Sequence, residues 1–185
     1  MPSRKQKMID QQLIHHFLNR LGQCYRYQGV IYLVGGSSLA LVAAKVTTFD
    51  IDLTYEVPNE HHTLLIGCLQ QLSREMNVPI EQASPADFLP LPAGYENRRV
   101  YIGRFGLLNV FHFDFYSIAL SKLARGNQKD FVDVQAMIQK GLITLPKLEF
   151  YFAEILPQLA SFNLRIRPEQ FQRKFATFKQ NLVNQ

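Results

Sequence analysis

Val30 to Val57 reads VIYLVGGSSLALVAAKVTTFDIDLTYEV, and no other stretch of the 185-residue chain narrows its fold so far. The continuous apolar run Val30–Val34 predicts a strand covered on both faces. Ser37–Ala44, rich in Ala and Leu, predicts a short helix, and the alternation over Phe49–Val57 predicts a second strand. Helical stripes lie on either side. Residues 5–25 repeat Ile9, Leu13, Phe17, Leu21 and Cys24, and residues 59–77 repeat Leu65, Cys68, Leu69, Leu72 and Met76 behind Pro58 and Asn59. Residues 79–96 contain Pro79, Pro85, Pro90, Pro92 and Gly94 and predict an irregular loop, long enough for a functional lid or a disordered segment. Two strands follow, Arg99–Arg104 and Leu107–Phe113, joined tightly near Gly106. From Asp114 the pattern is helical, over about 115–125, 128–140, 147–160 and 168–183, the last with Phe171, Phe175, Phe178 and Leu182 on one stripe.

The expected fold class is therefore α/β (α+β): a small mixed sheet flanked by helices over residues 1–113, with a helical C-terminal region, 114–185, packed on it. There are too few βα units for a doubly wound sheet. Cys24 and Cys68 are too few for a disulfide framework or a zinc site and read as buried thiols in a reducing compartment. No apolar run follows the basic N-terminus, and none approaches the roughly 20 residues of a membrane span. The expectation is a cytoplasmic protein with no membrane partner.

Charge is unevenly spread. Residues 46–96 hold eight acids and one base, Arg74, a balance of −7 in a chain of net charge +5, so the rest carries +12. Residues 161–185 have five bases against Glu169. An acidic patch beside basic ends suits a metal site flanked by surfaces that meet phosphates. For the C-terminal bases alone, a solvated helix face is the preferred reading.

The chemistry concentrates at the turn and the second strand. Gly35 and Gly36 let a phosphate approach the main chain closely. Ser37 and Ser38 open the helix, whose amides and dipole favour an anion. Neither familiar phosphate loop fits, since no Lys-Ser or Lys-Thr follows the glycines and no third glycine has the dinucleotide spacing. A serine-capped strand-to-helix turn would explain Gly-Gly-Ser alone. Asp50 and Asp52, two apart on a strand, project from one face with Cα atoms roughly 6.5–7 Å apart. Carboxylates so placed suit Mg2+, which takes a few acids together with phosphate and water. A polar face of an edge strand would also show this alternation. The pairing of the turn with the aspartates is the specific feature.

GGSSLALVAAKVTTFDIDL resembles the signature of the nucleotidyltransferase superfamily of polymerase-β-like enzymes, a Gly-Gly or Gly-Ser turn followed about a dozen residues on by Asp-x-Asp. The resemblance implies a nucleotidyltransferase-like fold in which Gly35, Gly36, Ser37 and Ser38 bind the triphosphate of an NTP substrate. It also implies that Asp50 and Asp52 hold two Mg2+ ions. Residues 114–134, DFYSIALSKLARGNQKDFVDV, are similar to the Ser-x4-Lys and Lys/Arg-Asp-x2-Asp of AbiEii-type toxin nucleotidyltransferases and their bacterial relatives, through Ser117, Lys122, Lys129, Asp130 and Asp133. That likeness implies that Lys122 meets phosphate and that Asp130 acts in the same cleft. From the residues alone, Lys122 is equally a surface lysine, and Asp130 an acid in the first turn of a helix capped by Asn127.

A third metal ligand is expected at Asp114, at the end of the Leu107–Phe113 strand, where it would equally cap the helix from Phe115; Asp87 is a weaker choice. His15, His16, His61 and His62 lack ligand spacing and are assigned to the surface or partial burial. The reaction implied is Mg-dependent transfer of an NMP from an NTP to an acceptor hydroxyl or phosphate on RNA, a protein or a small molecule, as a toxin-like enzyme would perform it. The rival is a catalytically inactive nucleotide-binding or RNA-binding interaction module on the same fold.

Overall fold

A computed structural model describes residues 8–162 and 166–183, so residues 5–7 of the first helical stripe and Arg165 of the basic C-terminal stretch lie outside the described residues. The chain divides into two compact units, Met1–Ala83 with Val100–His112, and Ser84–Arg99 with Phe113–Gln185.

The first unit runs α1 (Gln11–Cys24), β1 (Gly29–Leu33), α2 (Gly35–Leu41), β2 (Ile51–Glu56), α3 (His62–Met76), β3 (Ile80–Gln82), β4 (Val100–Phe105) and β5 (Leu108–His112). The helix expected from residue 5 starts at Gln11, because the Asp10 carboxylate accepts from Leu13 N–H at 2.9 Å and caps it there. The five strands form one mixed sheet in the order β3-β2-β1-β5-β4. β1 runs antiparallel to β2 and parallel to β5; β2–β3 is parallel and β4–β5 antiparallel.

Strand alternation divides the sheet. Ile31, Leu33, Ile51, Leu53, Leu108 and Val110 join one core with Ile14, Phe17, Leu18 and Leu21 of α1 and Leu65, Leu69 and Leu72 of α3. Both helical stripes are thus spent on this face. The opposite face takes the residues between, Asp52 and Thr54 of β2 among them.

Two expectations are corrected here. Cys24 and Cys68 are not separate thiols but a disulfide joining α1 to α3, with Cα atoms 5.8 Å apart. Packing of the two helices on one face brings their thiols together, and the pair no longer argues for a reducing compartment. Residues 79–96 are not irregular throughout. Ile80–Gln82 pair with β2, and 3-10 turns form at Pro85–Asp87 and Tyr95–Arg98. The reason is local bonding: Ser84 and Asp87 cap each other, with Ser84 N–H donating to Asp87 Oδ2 at 2.8 Å. Arg98 then donates to the Ala93 carbonyl at 2.8 Å.

The second unit contains α4 (Phe115–Arg125), α5 (Gln128–Gln139), α6 (Leu145–Ile155), α7 (Leu159–Phe162) and α8 (Pro168–Val183). Nearly all of α4 is buried, and α5, α6 and α8 pack around it. Phe171, Phe175 and Phe178 of α8 are buried as their spacing requires, with Phe152 of α6 stacked on Phe175 at 4.1 Å. Among the described residues no helix is long and apolar enough to cross a membrane.

Candidate active site

The turn between β1 and α2 is built around the carboxylates of the neighbouring strand. Gly35 has φ +54°, the left-handed region that a side chain disfavours. A Cβ on Gly35 would collide with the carboxylate of Asp52, whose Cγ lies 3.1 Å from that point. A Cβ on Gly36 would collide with Thr48 Oγ1, and that hydroxyl donates to Asp50 Oδ1 at 3.2 Å. Each glycine therefore leaves the space that one aspartate, or the residue holding it, occupies. The bend and the Asp-x-Asp pair face one another within a single unit.

Glu81 completes the set. The parallel pairing of β2 with β3 puts Glu81 opposite Asp52. One ligand oxygen from each of Asp50, Asp52 and Glu81 lies within 4.8 Å of the others; the two aspartates are half-buried and Glu81 is exposed. Three hard oxygen donors on one rim match what a small divalent cation takes. Glu81 escapes a reading by composition because prolines surround it. A signal did exist: β2 followed by the amphipathic α3 calls for a returning parallel strand, which needs a helical crossover of this kind. Thr48 escapes likewise, since its role lies in the contact with Asp50.

Both serines are turned inward. Ser37 Oγ–H lies 2.8 Å from the Val34 carbonyl and 2.9 Å from the Asp52 carbonyl, which ties the turn to β2. Ser38 Oγ bonds Nδ1 of His112, the last residue of β5, at 2.8 Å. Both serines are fully buried. Burial pushes the His112 imidazole down to about 4, because charge is costly away from water.

The remaining expected residues belong to the helical unit. Asp114 is 1% exposed. Its two oxygens take Arg98 Nε and Nη2, each at 3.0 Å, while Ser117 Oγ donates at 2.7 Å and the Tyr116 and Ser117 amides cap α4. Burial pushes the Arg98 guanidinium down, but the Asp114 carboxylate outweighs that and its pKa is raised. Asp114 is thus engaged as a helix cap and ion-pair partner.

Lys122 is buried on α4. Its Nζ donates to Asp133 Oδ2 at 2.7 Å and lies 3.5 Å from Asp130 Oδ1. Arg125 donates to that same Asp130 oxygen at 2.7 Å, and Asn127 Oδ1 accepts the Asp130 amide at 2.9 Å as the N-cap of α5. Lys122, Asp130 and Asp133 form an ion cluster joining α4 to α5. Lys129 is exposed on the first turn of α5. Asp87 is held in its 3-10 turn. His15, His16 and His62 are exposed and His61 is half-buried, stacked on Tyr27 at 3.9 Å.

A family model described as nucleotidyltransferase of unknown function (DUF6036) matches residues 8–182. The chain belongs to that family. Its description carries the superfamily that the turn and Asp-x-Asp resemble, and does not carry the AbiEii-type likeness. No curated protein and no solved structure matches the chain.

Proposed function

We propose that this nucleotidyltransferase-family chain moves a nucleoside monophosphate from an NTP to an acceptor hydroxyl or phosphate, using Mg2+ held by Asp50, Asp52 and Glu81. The observation that carries the reading is the contact of the Gly35–Gly36 bend with the carboxylate pair, because a phosphate chain and its counter-ion must meet at one place. Bound there, two magnesium ions would supply Lewis-acid charge at the phosphate oxygens and lower the pKa of the attacking hydroxyl.

The chain's own contribution is positional, as phosphoryl transfer asks little covalent chemistry of the protein. Thr48 holds Oδ1 of Asp50 and so sets the direction of that carboxylate. The first amides of a helix have no partner within it, so the main-chain N–H groups of Gly35, Gly36 and Ser37 are the proposed phosphate contacts. The Ser37 and Ser38 hydroxyls, already bonded, keep the turn in shape. Lys122 and Asp130 enter as an ion cluster that holds the helical unit. RNA or a protein partner is the proposed acceptor. Glu81 as a third acid beside Asp50 and Asp52 favours the enzyme over the inactive module.

Isothermal titration of Mn2+ and of each NTP, with and without metal, tests this against Asp50→Asn/Asp52→Asn. The expected result is metal-dependent NTP binding, lost in the double variant, and pyrophosphate release by the wild type. Metal-independent binding unchanged in the double variant would refute the site. Binding without pyrophosphate release with any acceptor class would refute the enzyme.

A further inference from the structure

The sheet face that carries the acids also carries a row of aromatic side chains. In register across the strands stand Thr54, Tyr32, Phe111 and Tyr101, from β2, β1, β5 and β4. Residues directly opposite in a sheet project from the same face, and Thr54 shares its face with Asp52 two residues away. Tyr32 and Phe111 have ring centroids 5.9 Å apart, and Phe111 and Tyr101 meet edge-on at 5.1 Å. The row grades from buried Tyr32 through half-buried Phe111 to Tyr101, which is 55% exposed on the edge strand.

A register irregularity in β4 extends the pattern. Between Tyr101 and Gly103 the pairing slips, so that Tyr101 opposes Phe111 while Arg104 opposes Asn109. Phe111 and Asn109 lie two apart on β5 and share a face, so Tyr101 and Arg104, three apart, share it too. Arg104 is exposed on that face, and its Nε donates to the Gly106 carbonyl at 3.2 Å. The face is electrically polar as well, with Asp50, Asp52 and Glu81 at the β2–β3 side and Arg104 at the β4 side. At about 4.8 Å per strand, Phe111 and Tyr101 lie about 10 Å and 14 Å across the sheet from the strand of Asp52.

The geometry points to a stacking platform for the acceptor, a single-stranded nucleic acid one of whose bases stacks on the exposed Tyr101 ring, which Phe111 meets edge-on, while Arg104 meets a backbone phosphate. Flat aromatic faces with an adjacent cation are the chemistry by which unpaired bases are held without regard to sequence. The acid end repels a polyanion and the Arg104 end attracts it. The strand body therefore belongs over β4 and β5, with its terminus toward the carboxylates. This inference rests on the nucleotidyltransferase reading for the choice of acceptor, but the binding it describes needs neither metal nor turnover.

The test is fluorescence anisotropy with fluorescein-labelled single-stranded oligo(A) and oligo(U) RNA, in the full chain, without Mg2+ or NTP. Tyr101→Val, which keeps a strand-forming residue and removes the ring, should weaken binding by about fivefold to a hundredfold, the loss of one stacked base. Tyr101→Phe should keep wild-type affinity. Arg104→Ala should reduce the slope of log affinity against log salt by about 0.7, one phosphate contact. Asp52→Asn, which removes the proposed metal ligand, should not weaken RNA binding, so failure of the catalytic reading leaves this result standing. The inference is overturned if the wild type binds no RNA or if Tyr101→Val binds as tightly as wild type. It is also overturned if Tyr101→Val weakens NTP binding instead, or alters only the sedimentation coefficient, which would make the row a base pocket for the donor or a contact between copies.

Discussion

Replacing Gly35 with alanine adds one methyl group at the point where the turn and the carboxylates meet. Three terms set the effect. A residue with a Cβ in the left-handed region costs about 1–2 kcal/mol, and φ at this position is +54°. The new Cβ would overlap the Asp52 carboxylate, and turning that side chain off its rotamer costs a further 0.5–1.5 kcal/mol or so. Against these, alanine restricts the unfolded chain and returns roughly 0.4–1 kcal/mol. The net expectation is a loss of about 2 kcal/mol, or a urea midpoint lowered by about 1 M. Because Asp52 must move, Mn2+ affinity measured by titration calorimetry should also fall, by about 10–100-fold as when a ligand's support is removed. Gly67→Ala is the matched control. Gly67 is an exposed position inside α3 with nothing within 4 Å of the added Cβ. There the same methyl group should stabilise by about 0.5–1 kcal/mol and leave metal binding untouched. A Gly35→Ala protein as stable as wild type, or one with unchanged Mn2+ affinity, would refute the argument that the bend exists to make room for Asp52.

Arg98→Ala should destabilise the chain by about 3–5 kcal/mol in urea unfolding, because it strips the counter-charge from a fully buried carboxylate. Asp114→Asn should leave Mn2+ affinity as it is; a large loss would make Asp114 a ligand after all. His112 titrates at about 4 in the folded chain against 6.5 ordinarily, so the unfolded state binds the proton first as pH falls. Its contribution is complete above pH 6.5 and is lost toward pH 4, by about 3 kcal/mol over that window. His112→Asn should flatten this part of the stability–pH curve, and an unchanged slope would count against burial as the cause. Alkylation with iodoacetamide under denaturing conditions should label neither Cys24 nor Cys68 until a reductant is added. Reduction should then cost about 4 kcal/mol, the loop-closure value for a separation of 44 residues.

The period of each segment was sufficient to order the main elements, β3 excepted. Val30–Val34, the 59–77 stripe and the Phe171–Phe175–Phe178 stripe form where their spacing puts them, because helix and strand periods are written within a few residues. The Asp-x-Asp spacing marks Asp50 and Asp52 as a pair, although Asp50 sits in the bend ahead of β2 and not on the strand, and the glycines ahead of them mark a turn. Contacts between segments are a different matter. Glu81 joins the aspartates only through the register of β3 on β2, across the whole of α3. Lys122 meets Asp133, and Asp114 meets Arg98, because packing excludes water and a buried charge must find its opposite. Cys24 and Cys68 bond because two helices cover one face of a sheet. The sequence alone therefore determined which segments are helix or strand, apart from the short β3, and which way their side chains alternate, since those depend on neighbours along the chain. Only the tertiary structure decided which distant side chains meet, because strand register and burial are properties of the assembled sheet and core.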